Sequence, residues 1–360
     1  MRSLWGPAQA LRLLRVTNTQ RLAWQPHHRH QKVMEGDKPC ALISDAWSEH
    51  DYPKELSDLL KQNFHTISYR EFLQNPVLHA PKIQAILMWA QSPAAEPSLL
   101  RSLPSLKVIA NGGVGIDHLD LPFIASLGVK VTNTPGVVSD ATADIGMGLL
   151  LASARKIVQG HQVAVGHKTN NLPASLMGFE VTGSTLGIIG MGHIGYKIAQ
   201  RGKGFEMKIL YHNRNRRSAE DERAVGATYC ENMDDLLRRS DFVMLAVNLT
   251  PETTGLIGQR ELSLMKPTAT LVNVSRGLVV DQDALVKALQ SGTIHAAALD
   301  VTHPEPLPRD HPLLGLPNVL ITPHVGTDTY QTTRRMVEVM VENARAAVNG
   351  LPIPNEVKPQ

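Results

Sequence analysis

The chain has 360 residues, 42% hydrophobic and 4% aromatic, with 27 Gly, 23 Pro and 2 Cys. That length suits two domains of ordinary size, and the composition excludes a collagen, a disordered chain and a disulfide-stapled miniprotein. The 36 basic residues exceed the 33 acidic ones, but residues 1–33 hold Arg2, Arg12, Arg15, Arg21, Arg29 and Lys32 and no acid, so the remainder carries 30 basic against 33 acidic residues. The excess positive charge belongs to one short segment, and with no recognition motif in the body a nucleic-acid partner is not expected.

Arg-rich and acid-free, residues 1–33 have the composition of a mitochondrial transit peptide. The fit is incomplete: Leu4 to Leu22 do not share one helical face, and Ser3 is the segment's only serine. The alternative is an untargeted extension of a cytosolic protein, with translation starting at Met34. His27, His28 and His30 lack carboxylate or Cys companions and read as polar tail, so no metal centre is expected. Cys40 and Cys230 stand alone, which favours a reducing compartment. The longest apolar run, Ile145 to Ala154, is bounded by Asp144 and Arg155 and falls well short of the ~20 residues of a membrane span.

From residue 39, short apolar runs alternate with helical stretches. Ala41–Ser44, Gln84–Trp89, Leu106–Ala110 and Val129–Asn133 read as buried strands with polar or Gly/Pro punctuation between them. One long helix is expected from Asp140 to Gln159, capped by Ser139 or Asp140. After a loop, His167–Phe179, strands are expected at Thr185–Ile189, Lys208–His212, Phe242–Val247, Thr270–Val274, Ile294–Val301 and Asn318–Thr322. A last helix, Thr329–Asn349, ends at Gly350 with Pro352 and Pro354 beyond it. Near-continuous apolar strands alternating with helices predict an α/β protein: two doubly wound lobes whose parallel sheets are covered on both faces.

Gly190-Met-Gly-His-Ile-Gly195 follows the strand Thr185–Ile189 and opens a helix. In that setting Gly190 makes the tight turn, Gly192 admits a pyrophosphate to the backbone, and Gly195 lets helix and strand pack closely. The helix N-terminus offers free N–H groups to the phosphates. At the end of the next strand, Tyr211-His-Asn-Arg-Asn-Arg-Arg217 has no acid for a ribose hydroxyl, the first being Glu220, whereas Arg214, Arg216 and Arg217 suit a 2′-phosphate and Asn213 is a further expected cofactor contact. NADP(H) is therefore the expected cofactor, with NAD(H) as the alternative.

Three further residues lie at carboxyl ends of strands, where open α/β sheets bind ligands. Arg276 follows Thr270–Val274 and can grip a carboxylate with its fork. Glu305 follows Ile294–Val301, and His324 follows Asn318–Thr322. An imidazole oriented by a carboxylate can deliver a proton near neutral pH. In the first half, Asn111-Gly-Gly-Val-Gly-Ile-Asp-His118 exposes backbone N–H groups that can form an anion nest.

These motifs, in this order, resemble the D-isomer-specific 2-hydroxyacid dehydrogenase family from about residue 39 onward. The matching segments are Val114–Asp117, Gly190–Gly195, Asn273–Gly277, Leu299–Val301 with Glu305-Pro306, and Pro323–Gly326. Within the family the chain is most similar to glyoxylate/hydroxypyruvate reductases, with 2-ketogluconate reductases close behind. The resemblance implies reduction of a small 2-keto acid to the D-2-hydroxy acid in a cleft between the lobes. It implies Arg276, Glu305 and His324 as the catalytic trio and Val114 and Gly115 as the substrate loop. His193, Ile194, Arg214, Asn248, Val274, Asp300 and Gly326 fall at cofactor-contact positions. The implied organisation is an N-terminal extension (1–35), a discontinuous substrate lobe (36–133 and 326–360), a cofactor lobe (134–325) and a homodimer built around the helix after residue 139. One departure stands out: where those reductases carry tryptophans, this chain has Lys168, Asn171 and Ser175. The same resemblance also extends to dinucleotide-dependent transcriptional corepressors, which turnover would distinguish from an enzyme.

Overall fold

The segment Ile83–Trp89 is buried at six of its seven positions, and Phe242–Leu245, Thr270–Asn273 and Ala296–Leu299 at all of theirs. A strand with no polar alternation is stable only in a sheet covered on both faces, and the computed structural model contains two such sheets. It describes residues 38–47, 52–166 and 174–358. Residues 1–33 with both readings of them, His27, His28 and His30, and Lys168 and Asn171 lie outside the described residues. Among the described residues no helix is long and apolar enough to cross a membrane.

The first sheet is built from β1 (Cys40–Ile43), β2 (His65–Ser68), β3 (Ile83–Trp89), β4 (Val108–Gly112) and β5 (Lys130–Thr132). The second contains β6 (Thr185–Ile189), β7 (Lys208–His212), β8 (Ala227–Tyr229), β9 (Phe242–Leu245), β10 (Thr270–Asn273), β11 (Ala296–Leu299) and β12 (Val319–Ile321). A two-residue strand, β13 (Glu356–Val357), returns to the first sheet and pairs antiparallel with β5; all other pairings are parallel. The orders are β13-β5-β4-β3-β1-β2 and β12-β11-β10-β9-β6-β7-β8. In the second, the strand order switches between β6 and β9, since the chain builds outward through β7 and β8 and then crosses back to the other side of β6, and such a switch point opens a crevice at the carboxyl ends.

The helix Tyr330–Val348 seats on the first sheet. Met336, Val337, Met340, Val341, Ala344 and Val348 recur at helical spacing and are buried with Ile43, Leu87 and Ala110, the larger of them each worth about 1.5–3 kcal/mol. Thr329 caps the helix by accepting the Thr332 N–H, and Gly350, at φ 68, ends it. Ser139–Ala154 packs instead on the second sheet, where Ala143, Met147, Leu150 and Ala154 meet Ile188, Met244 and Val272.

Two expectations need correction. The helix expected over 140–159 is two helices, Ser139–Ala154 and Ile157–Val165, because Lys156 takes a left-handed φ of 51. Neither Ser139 nor Asp140 caps it; the cap position is Val138, which makes no side-chain bond. Strands β2, β8 and β13 were not expected; all three lie at sheet edges, where polar residues intrude.

Candidate active site

Arg276 leaves the end of β10 and reaches across to the loop after β4. Its Nε donates to Asp117 Oδ1 at 3.0 Å and its Nη1 to the Ser275 carbonyl at 2.8 Å. Its guanidinium lies so close to Gly115 that a β-carbon there would collide with it. The loop holding Gly115 is itself pinned. Asn111 Nδ2 donates to the carbonyls of Gly113 and Gly115, and Asn133 Nδ2 to that of Val114 at 2.9 Å. Asn343, wholly buried on the 330–348 helix, donates to the Asn133 carbonyl and accepts from Asn355. A relay of asparagines thus ties the last helix and the segment before the C-terminal strand to Val114, while Asn111 holds Gly115 separately.

Glu305 and His324 meet as expected: His324 Nδ1 and Glu305 Oε2 are 2.8 Å apart, and Glu305 Oε1 accepts the Thr302 N–H at 3.0 Å. Burial pushes the Glu305 carboxyl up. The hydrogen bond and charge of His324, the Thr302 N–H and the Arg276 charge together outweigh it, leaving the carboxyl below its ordinary value. Glu305 is thus kept ionised and accepts from Nδ1, which leaves Nε2 as the ring atom free to face a ligand. His324 sits in the left-handed region, at φ 57. Asp300, 2% exposed, holds that turn: its carboxylate accepts from the Thr322 hydroxyl and from the N–H groups of Val325 and Gly326. Two of the residues expected at cofactor-contact positions, Asp300 and Gly326, are therefore already bonded to each other.

The dinucleotide turn fits its expected ligand. Gly190 has a φ of 96, and a β-carbon on it would meet the Ala246 carbonyl oxygen at 2.5 Å. A β-carbon on Gly195 would collide with the Gly190 carbonyl, whereas beside Gly192 lies open space. The helix His193–Gly204 starts there with no side chain capping its free N–H groups, which leaves them for phosphate oxygens. His193 and Asn248 are exposed, Ile194 is half-buried, and Val274 is buried behind the cleft.

The basic cluster after β7 is less free than its sequence suggests. Arg216 gives both arms of its fork to Glu222, Nε to Oε1 at 2.8 Å and Nη2 to Oε2 at 2.9 Å. Tyr211, fully buried, also donates to Glu222. Arg217 bonds Asp221 and the Met191 carbonyl and lies over the Tyr196 ring. Asn213 accepts the Met191 N–H and so braces the phosphate turn. Arg214 alone of the three arginines makes no hydrogen bond or ion pair among the described residues. The expectation that Arg216 grips a cofactor phosphate is corrected accordingly, because its fork is occupied from within the chain.

Sequence reasoning named Asp117 only as part of a motif and missed Asn133 and Asn343. Asp117 carried a usable signal, a carboxylate two residues after the glycine facing Arg276. The others act through backbone contacts that no spacing announces.

The family model for the NAD binding domain of D-isomer specific 2-hydroxyacid dehydrogenases matches residues 147–326. A glyoxylate reductase of Aeropyrum pernix is 46% identical over 264 residues, 72% of this chain and 78% of that one. The chain belongs to that dehydrogenase family. It is an oxidoreductase acting on CH–OH donors, with a nicotinamide-dinucleotide-binding Rossmann domain. A second glyoxylate reductase, from Pyrococcus furiosus, is 40% identical over 321 residues, 87% of this chain and 93% of its own. Among solved structures, the NADPH-dependent glyoxylate/hydroxypyruvate reductase of Sinorhizobium meliloti in complex with NADP and malonate superposes with a TM-score of 0.77 at 30% identity, covering 89% of this chain and 97% of that one. Of Lys168, Asn171 and Ser175, Ser175 is described; its carbonyl accepts from Lys156 Nζ at 2.7 Å.

Proposed function

We propose that this dehydrogenase reduces a small 2-keto acid, glyoxylate or hydroxypyruvate, to the D-2-hydroxy acid, with NADPH as the preferred donor. The observation that carries this reading is the Glu305–His324 pair, with Glu305 in the field of the Arg276 charge and the Arg276 guanidinium abutting the Gly115 loop. The bound dinucleotide supplies the hydride. Arg276 and the N–H groups of Val114 and Gly115 hold the substrate carboxylate and fix the keto carbon in one orientation. His324 gives its Nε2 proton to the carbonyl oxygen, and Glu305 keeps the ring in the tautomer and orientation that make this transfer possible. Gly190, Gly192, His193, Ile194 and Gly195 cradle the phosphates, and Arg214, its fork uncommitted, supplies the charge for a 2′-phosphate. Asn213, Asn248, Val274, Asp300 and Gly326 complete the cofactor wall. The substrate lobe comprises residues 36–133 and 326–360, and the cofactor lobe residues 134–325. The exposed apolar strip of Ile157, Val158 and Val165 with Met177 supports a homodimer across the 157–165 helix.

Nicotinamide absorbance tests the proposal, with NADPH or NADH offered against glyoxylate, hydroxypyruvate, 2-ketogluconate and pyruvate. NADPH oxidation with glyoxylate and hydroxypyruvate is expected, together with its loss in His324→Ala and Arg276→Ala. Full activity in either variant refutes the assigned roles, and a strong preference for NADH refutes the role of Arg214.

A further inference from the structure

The carboxylate that orients His324 sits on an exposed loop. Residues 303–306 are all exposed, between buried Thr302 and Leu307. A side chain that must hold an imidazole to within a fraction of an ångström needs its backbone fixed from outside that loop. Thr302, at the loop's own edge, donates its hydroxyl to the Pro304 carbonyl at 3.1 Å, and among the described residues one side chain from a separate element holds the loop backbone. Gln282 Oε1 accepts the His303 N–H at 2.8 Å, and Gln282 Nε2 donates to the His303 carbonyl. Both polar groups of one peptide residue are thereby taken by a single amide.

Gln282 is itself well anchored. It is the first residue of the helix Gln282–Ser291, capped by Asp281 accepting the Ala284 N–H, with Leu285 and Leu289 buried in the core. The same short segment begins at Arg276. A β-carbon on Gly277 would meet the His303 nitrogen at 2.6 Å, so the 302–303 backbone lies directly against the residue after the arginine. The loop is held at this point between Gly277 and Gln282.

We infer that Gln282 is a positioning residue for proton transfer: its amide clamps the His303 backbone and thereby sets Glu305 against His324. This rests on the proposed role of the Glu305–His324 pair. The clamp needs a donor and an acceptor on one planar group, which an amide supplies and an ionised carboxylate does not. Gln282→Glu therefore separates positioning from bulk structure. Ionised, the new side chain still accepts from the His303 N–H but turns its other oxygen on the His303 carbonyl. Protonated, it recovers a donor.

The test is steady-state reduction of glyoxylate by Gln282→Ala, Gln282→Glu and Glu305→Gln, each measured beside the parent enzyme across pH, with thermal melting and NADPH binding followed by fluorescence. For Gln282→Ala, kcat falls about 10- to 100-fold, while KM for glyoxylate and NADPH affinity stay within about threefold and melting is little changed. For Gln282→Glu, kcat relative to the parent is low at pH 8 and climbs as pH falls toward the ordinary carboxyl range near ~4.3; the Gln282→Ala ratio stays flat. The inference is overturned if Gln282→Ala keeps more than half of kcat, if the Gln282→Glu ratio does not move with pH, or if lost activity tracks lost NADPH binding and melting. Should Glu305→Gln be fully active, the reading beneath it fails as well; should Glu305→Gln be impaired while Gln282→Ala is not, only the clamp fails.

Discussion

Gly115 offers the sharpest test of how the substrate carboxylate is held. Its backbone φ lies outside the left-handed region, so an alanine there carries no conformational penalty, yet its β-carbon would collide with the Arg276 guanidinium. Arg276 cannot retreat freely, because Nε is bonded to Asp117 and Nη1 to the Ser275 carbonyl. Gly115→Ala must therefore displace the fork proposed to hold the carboxylate. A hydrogen bond to a charged group is worth about 1.5–3 kcal/mol, so kcat/KM should fall roughly 10- to 150-fold. Since the carboxylate is bound alike in ground and transition states, most of the loss belongs in KM. Gly113→Ala is the control: the nearest atom to its added carbon is Asn111 Nδ2 at 3.6 Å, an ordinary contact, and the backbone N–H is kept. Steady-state kinetics with glyoxylate should show that variant within about threefold of the parent, because a substitution that meets no clash and breaks no bond changes energies by only a few tenths of a kcal/mol. If Gly115→Ala behaves like Gly113→Ala, Arg276 does not hold the carboxylate from this position.

Arg214→Ala should raise KM for NADPH about tenfold or more while sparing NADH, and Arg216→Ala should change it less than about threefold, because only the former removes an uncommitted charge-assisted bond; paired titrations of both cofactors check this. Glu222, held down at about 2 by its hydrogen bonds to Arg216 and Tyr211 against opposing burial, contributes stability that is fully present above its ordinary value of 4.5 and is lost as pH falls toward 2. Acid denaturation of Glu222→Gln should accordingly be flatter than that of the parent between those limits, and an unchanged curve counts against the pairing. Asp300→Ala leaves two N–H groups and a hydroxyl without their acceptor and should cost about 2–5 kcal/mol in denaturant unfolding together with most of kcat.

Both sheets, the phosphate turn and the Arg276, Glu305 and His324 trio were legible because each has a local signature, an apolar run followed by glycine or a polar residue at its carboxyl end. What escaped was non-local or too short to have a period. Strand β13 has two residues, and β8 three, with Thr228 exposed. The break at Lys156 depends on a left-handed backbone that a lysine does not advertise. The arginine cluster misled because Glu222 lies six residues beyond Arg216 and comes back to it only through the turn of the 219–225 helix. In sequence the strand end itself has no acid, so all three arginines look free; in space Arg216 and Arg217 pair with Glu222 and Asp221, and Arg214 alone makes no ion pair among the described residues.

The geometry also divides the chemistry between two supports. His324 keeps a left-handed φ of 57, a conformation costing about 1–3 kcal/mol. It is offset within one turn of the second sheet: the His324 N–H bonds the Asp300 carbonyl at 2.8 Å, and the Asp300 carboxylate takes three further donors. Glu305 and His324 themselves stand on segments following β11 and β12, the first of them held by Gln282 from the helix after β10. Arg276 differs, because its Asp117 partner belongs to the loop after β4, in the other sheet's lobe. Arg276 is therefore tied to both sheets through Asp117, whereas the Glu305–His324 bond involves the second alone. On the roles proposed above, disturbing the Asp117 side should act on KM and disturbing the Asp300 turn on kcat.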